Sequence, residues 1–178
     1  MTQLLPALTR AFIDEQAIHL IMCYGSHQAV DYDRLAYDQS ITVVKSLDII
    51  VPACQSIPYG TAFEHYVFLP SHLSPPSLEE YFRAHEYGHI LLGHTTHMGK
   101  RNLPREQKEE EAAYFAERLT GQPRPTTKEI LASTRKLLHE HSDLKQRISL
   151  LPNKEERFRF IQATMELTQL VHILDNYT

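Results

Sequence analysis

The chain has 178 residues, of which 42% are hydrophobic and 22% charged, and its formal net charge is -4. This length suits one domain with a proper core and a small helical appendage. The acidic balance argues against nucleic acid as the main partner, because phosphate binding needs a concentrated basic surface. No long apolar run or signal-peptide pattern is present, and Cys23 and Cys54 lie outside any C-x-x-C spacing. These features predict a cytoplasmic protein without membrane segments, whose thiols are buried and reduced.

The first part of the chain predicts one helix and two strands. Residues 3–22 carry apolar side chains at helical spacing and predict a helix. Residues 41–51 are rich in β-branched side chains and predict a strand, as do residues 62–70, AFEHYVFLP. Between them, residues 52–61 contain two prolines and a glycine and predict a loop.

Residues 74–94, SPPSLEEYFRAHEYGHILLGH, predict a long helix with defined ends. Ser77 followed by Glu80 has the spacing of a capping box directly after two prolines, which favours a helix start there. Gly93 is the residue type that most often follows a helix C-terminus.

His85 and His89 lie one turn apart on one face of this predicted helix. Two imidazoles at that separation can share one tetrahedral metal ion. Glu86 lies about 100° round the helix, where a carboxylate can contact a metal-bound water without becoming a ligand. Gly88 leaves one side of the helix bare for the close approach of another backbone. The alternative is a buried helix whose histidines bond to main-chain or hydroxyl groups; the glutamate between the histidines favours the metal site.

The third ligand is the next question, because a catalytic zinc site usually has three protein ligands and one position for water. His94 and His97 follow the predicted helix end, where a protonated imidazole can instead cap free carbonyls. Residues 109–119, EEEAAYFAERL, form a second candidate.

The acidic run at the start of that segment offers two candidate ligands. The core-facing stripe of this second predicted helix comprises Ala112, Phe115, Ala116 and Leu119. Glu110 points almost directly away from the stripe, whereas Glu109 and Glu111 flank it. Helical geometry therefore leaves Glu109 and Glu111 open as ligands. The ordinary role of such a run is a solvated helix start, which suits Glu110 and is also an alternative for Glu109.

HEYGHILLGH, followed after a loop by EEEAAYFAERL, resembles the ImmA/IrrE-type metallopeptidases, whose pattern is approximately HExGHxxxxH…ExEAxxFAxxL. The resemblance covers roughly residues 40–120. It implies a Zn²⁺ ion bound by His85, His89 and Glu111, with Glu86 as the catalytic base. Tyr87, Ala113 and the ending TGQP depart from the family pattern, and they bear more on the substrate than on the metal.

This resemblance also implies a function: a cytoplasmic zinc endopeptidase that cleaves a helix-turn-helix repressor or a similar DNA-binding regulator. Glu86 would take a proton from the zinc-activated water and deliver it to the leaving amine. If the strand at 62–70 is an open edge beside the motif helix, an extended peptide could pair with it.

The predicted fold class is α+β, with a small antiparallel or mixed sheet packed on the central motif helix and a mostly helical C-terminal part. Residues 1–122 are predicted to form a minimal zinc metallopeptidase domain, and residues 123–178 a helical extension packed on the same domain. A rival hypothesis makes residues 126–178 a partner-docking unit, with Phe160, Leu167, Val171 and Leu174 in its stripe. In that case the zinc would be structural, and a fourth protein ligand such as His94 would close the site.

Overall fold

The computed structural model describes residues 5–26, 29–46, 49, 52–71, 73–96 and 103–140. These residues form five helices and five strands, which confirms the predicted α+β class. In chain order the elements are α1 (Ala7–Tyr24), β1 (Gly25–Ser26), β2 (Ala29–Val30), α2 (Tyr32–Asp38), β3 (Ile41–Ser46), β4 (Ala53–Tyr59), β5 (Ala62–Pro70), α3 (Pro76–Leu91), α4 (Arg105–Thr120) and α5 (Thr127–Glu140). None of the described helices has the length and apolar character needed to cross a membrane.

The main sheet has three strands in the order β3-β5-β4. β5 pairs in parallel with β3 and antiparallel with β4, so the sheet is mixed. β5 is therefore the central strand, and the idea that it offers an open edge is wrong. The prediction of a loop at residues 52–61 is also wrong, because most of this segment forms β4.

β4 escaped sequence analysis because proline usually argues against a strand. An edge strand tolerates proline, since the N–H groups on its outer side do not enter the ladder. Pro58 lies near the end of β4, opposite Phe63. Gly60, with a φ of 60°, then opens the two-residue turn to β5, a conformation that favours glycine.

The N-terminus of α3 differs from the prediction. The helix begins at Pro76, with Pro75 in the N-cap position and no side-chain capping bond. Ser77 lies inside the first turn, so the predicted capping box is wrong. Proline is well suited to the first helical position because the N–H group that it lacks would have no partner there. The predicted C-terminus is confirmed, since Gly93 follows the helix with a φ of 75°.

α3 and α4 pack closely at Gly88. A Cβ atom on Gly88 would lie 3.0 Å from Cδ1 of Phe115 and 3.3 Å from the backbone of Ala112. The expected close approach of another backbone is therefore confirmed, and that backbone is α4. The predicted core stripe of α4 is buried: Ala112, Phe115, Ala116 and Leu119. α3 also contacts β4 and β5, so it lies between α4 and the sheet strands.

α1 covers most of the helix predicted at residues 3–22, with both ends a few residues later in the chain. α1 begins after Pro6, and it packs on α4, where Tyr114 donates a hydrogen bond to Asp14. Cys23 and Cys54 are free, but Cys23 is exposed and Cys54 is only half-buried, so neither thiol is buried as predicted. The interval at 121–126 has no regular structure before α5, as expected for a linker.

Polar contacts of Arg124 and Ser133 connect the start of the C-terminal extension to the preceding part of the chain. Arg124 forms ion pairs with Glu110 and Glu117 of α4. Ser133 accepts a hydrogen bond from the backbone of Ser74. The apolar stripe predicted from Phe160 to Leu174 lies outside the described residues.

Candidate metal centre

His85, His89 and Glu109 form a compact cluster where α3 crosses α4. The two Nε2 atoms of His85 and His89 are 3.2 Å apart. Oε2 of Glu109 lies 3.3 Å from Nε2 of His85 and 3.7 Å from Nε2 of His89. Within the described part of the chain, these three side chains form the one group of His, Cys, Asp and Glu residues that can hold a metal ion.

The spacing of these three atoms fits a tetrahedral ion. Ligands about 2.0–2.1 Å from a tetrahedral zinc lie about 3.4 Å from one another. The observed separations of 3.2, 3.3 and 3.7 Å bracket that value. The donor set of two imidazoles and one carboxylate therefore fits a metal without a change in backbone.

Glu109 carries the negative charge of the cluster. Burial alone would raise the pKa of its carboxyl, but the contacts with the His85 and His89 rings outweigh burial and hold that pKa well below its usual range. The carboxylate is therefore ionised at neutral pH, which is the form that binds a cation.

Glu86 follows His85 on α3, and it lines the same cleft as both histidines. Its residue surface is only 6% exposed. Among the described residues, only Tyr32 has a fully buried side-chain oxygen without a partner, so the carboxylate of Glu86 is open to the cleft.

Glu111 is placed elsewhere. Its side chain is 1% exposed, and its Oε2 lies 3.2 Å from Nε2 of His94, whose side chain is 2% exposed. Gln107 donates to the other carboxylate oxygen of Glu111 at 3.1 Å. The structure thus brings Glu109 rather than Glu111 to the two histidines, and the assignment of Glu111 as a ligand stays a prediction.

His94 contacts His89 on the side of its ring opposite the metal cluster. The two Nδ1 atoms lie 3.2 Å apart, so His94 is at the nitrogen of His89 that faces away from the cluster. Burial, followed by the proximity of His89, lowers the pKa of His94 to about 4 despite its contact with Glu111. The ring is therefore neutral at pH 7. His97, the other histidine candidate, lies outside the described residues.

The choice between Glu109 and Glu111 depends on how α4 crosses α3. Ala112 packs on Gly88, the residue directly before His89. Glu109 precedes Ala112 by three residues, so it occupies the same face of α4 one turn earlier. The signal that identifies Glu109 is thus the pairing of Gly88 with Ala112, which one sequence alone does not provide.

A cleft of about 1020 Å³ contains the cluster. Its lining includes residues of α4, the first turn of α5, and the start of β4 with the residue before it. The lining residues at β4 are Pro52, Ala53, Cys54, Gln55 and Ser56. Arg105, Lys108 and Arg124 also line the cleft, and Arg124 is paired with Glu110.

The chain matches no protein-family model, no curated protein and no solved structure. The likeness to the ImmA/IrrE metallopeptidases therefore rests on the motif residues themselves.

Proposed function

We propose that this protein is a zinc-dependent endopeptidase of the ImmA/IrrE type. The observation that carries the proposal is the triangle of His85, His89 and Glu109, in a cleft that Glu86 also lines. Two imidazoles and a carboxylate are the ligands of known zinc peptidases, in which a separate glutamate serves as the base.

The same donor set of two histidines and one carboxylate binds iron(II) in some oxygenases. Zinc is proposed here on the motif, because a glutamate directly after the first of two histidines on one helix is the pattern of zinc peptidases.

The chemistry divides between the metal and the chain. Zinc, when bound, would lower the pKa of a coordinated water so that hydroxide is available at neutral pH, and it would polarise the scissile carbonyl. Glu86 accepts the proton of that water and then returns it to the leaving amine. His85, His89 and Glu109 would hold the metal in the cleft that Glu86 also lines.

An extended peptide is the substrate that the cleft fits best. β4 is the edge strand of the sheet, and residues 53–56 of β4 line the cleft. A peptide lying along that edge would form main-chain hydrogen bonds to β4 and present its backbone to the cluster. The edge strand in this proposal is β4 rather than β5.

The position of His94 supports a catalytic rather than a structural metal. A structural zinc site is closed by four protein ligands. His94 reaches only the far nitrogen of His89, and no fourth described side chain joins the cluster. One coordination position is thereby left for water.

The proposed physiological substrate is a helix-turn-helix repressor or similar DNA-binding regulator. This part of the proposal rests on the motif resemblance. The net charge of -4 is favourable for meeting a basic DNA-binding protein, and such attraction speeds encounter more than it tightens binding.

Glu86→Gln tests the proposal. The amide is nearly isosteric but cannot accept the proton of the water, so cleavage should be lost by at least about 100-fold while zinc content is unchanged. Co-expression with a repressor encoded nearby should give a discrete fragment with the wild type that vanishes with Glu86→Gln. Glu106→Gln, an exposed change in the first turn of α4, serves as the control.

Full cleavage by Glu86→Gln would remove Glu86 as the base. Release of the repressor from DNA to the same extent by the inactive variant would show that the protein acts by binding.

A further inference from the structure

His94 and Glu111 form a buried pair behind His89, on the side of its ring that faces away from the metal cluster. The three side chains are connected in series. Nδ1 of His89 lies 3.2 Å from Nδ1 of His94, and Nε2 of His94 lies 3.2 Å from Oε2 of Glu111. The proposed reaction uses neither His94 nor Glu111.

The proton positions in this series follow from the orientation of His89. Its Nε2 faces the cluster and must be unprotonated to bind a metal, so its one proton lies on Nδ1. The Nδ1–H of His89 donates to Nδ1 of His94, so His94 must carry its own proton on Nε2. The Nε2–H of His94 in turn donates to the carboxylate of Glu111. Donors and acceptors therefore alternate without conflict along the whole series.

The series is held in place by its surroundings. The left-handed conformation of Gly93 turns the chain after α3, and the backbone N–H of His94 donates to the carbonyl of His89 at 2.8 Å. Lys108 donates to the carbonyl of His94, and Gln107 holds the second oxygen of Glu111. Both ends of the pair are thus fixed by backbone and side-chain contacts from α3 and α4.

We propose that His94 and Glu111 are positioning residues, which hold His89 in its Nδ1-protonated form and aim its Nε2 at the metal. Outer partners of this kind orient a ligating histidine and raise its basicity, and their loss commonly weakens metal binding 10- to 100-fold. The inference rests on the proposed zinc site and assigns Glu111 a role other than that of ligand.

Zinc affinity measured by competition with a chromophoric chelator tests this assignment. His94→Ala and Glu111→Gln should each weaken zinc binding about 10- to 100-fold. The double variant should be no weaker than His94→Ala, because removing His94 already disconnects Glu111. His94→Asn should recover most of the affinity, because its amide oxygen can accept the bond from Nδ1 of His89.

Two controls separate positioning from folding. The stability of each zinc-free variant shows whether the fold is intact, and His19→Ala reports the loss of an imidazole on α1, outside the series. Wild-type affinity, within about two-fold, in both His94→Ala and Glu111→Gln would overturn the assignment. Additive losses in the double variant, or no recovery in His94→Asn, would also overturn it. If the wild type binds no zinc, the proposed function fails and this inference fails with it.

Discussion

At the scale of single residues, the buried hydroxyl of Tyr32 forms no hydrogen bond with the described residues. Burial raises the pKa of that hydroxyl well above its usual range. Its ring packs edge-on against Tyr87, with the ring centroids 5.7 Å apart. The aromatic ring therefore supplies the packing, and the hydroxyl costs free energy.

Tyr32→Phe should leave the free energy of unfolding unchanged or raise it by about 1 kcal/mol, because the change removes only an unsatisfied polar group. Tyr87→Phe is the matched control. The hydroxyl of Tyr87 donates to the carbonyl of Tyr32 at 3.4 Å, so its removal should cost about 0.5–1 kcal/mol. Denaturant unfolding measures both values. A loss above about 1 kcal/mol in Tyr32→Phe would show that its hydroxyl has a partner after all.

Sequence reasoning predicted the middle and the end of α3 but not its start, where the expected capping box is absent. The turn that separates His85 from His89 and the turn at Gly93 are set by local geometry. The third member of the cluster depends on a contact between two helices. Helical periodicity left Glu109 and Glu111 open, and only the packing of Ala112 on Gly88 distinguishes them.

At the scale of elements, the crossing of α3 and α4 positions the cluster. Its three ligand candidates come from both helices, so the distance between the helix axes sets the distance from Glu109 to the histidines. Gly88 allows that distance to be small.

In Gly88→Ala the added methyl group would lie 3.0 Å from Phe115 and 3.3 Å from the backbone of Ala112, and such overpacking costs about 1–3 kcal/mol. Alanine normally stabilises a helix by about 1 kcal/mol relative to glycine, so the net loss of stability should be up to about 2 kcal/mol. Zinc binding should also weaken, since α4 carries Glu109 away from the histidines. Denaturant unfolding and chelator competition measure the two effects.

Phe115→Leu added to Gly88→Ala should recover part of the zinc affinity, because it removes the nearest atom. A more stable Gly88→Ala protein with unchanged zinc affinity would contradict the importance of this crossing.

The elements also show where sequence patterns fail. β5 and the body of α4 follow their patterns closely, because a central strand and a core-facing helix need a repeating apolar face. β4 does not, because an edge strand that lines a cleft is not constrained by burial on both sides. Pro58 within β4 and Pro52 directly before it suggested a loop for that reason.

At the scale of the whole molecule, the class of fold was predictable and the arrangement of strands was not. The β3-β5-β4 order requires a parallel pairing between distant segments, and no local pattern encodes it. The proposed zinc ion would bridge α3 and α4 and would thus add to the stability of the folded chain.

Zinc should raise the melting temperature of the chelator-treated protein. A ligand present at 100 times its Kd stabilises the native state by about 2.7 kcal/mol, which corresponds to about 5–10 °C for a chain of this size. Glu109→Gln should abolish most of that rise, whereas Glu106→Gln should keep it. An equal rise in the wild type and in Glu109→Gln would place the metal elsewhere.

The most direct test of the proposed metal centre is the zinc content of purified wild type, Glu109→Gln and Glu111→Gln after dialysis against a weak chelator. We predict one zinc per chain in the wild type, none in Glu109→Gln, and retained but more weakly held zinc in Glu111→Gln. Folded wild-type protein without zinc would contradict the metal centre. Zinc retained by Glu109→Gln and lost from Glu111→Gln would instead assign the third ligand to Glu111.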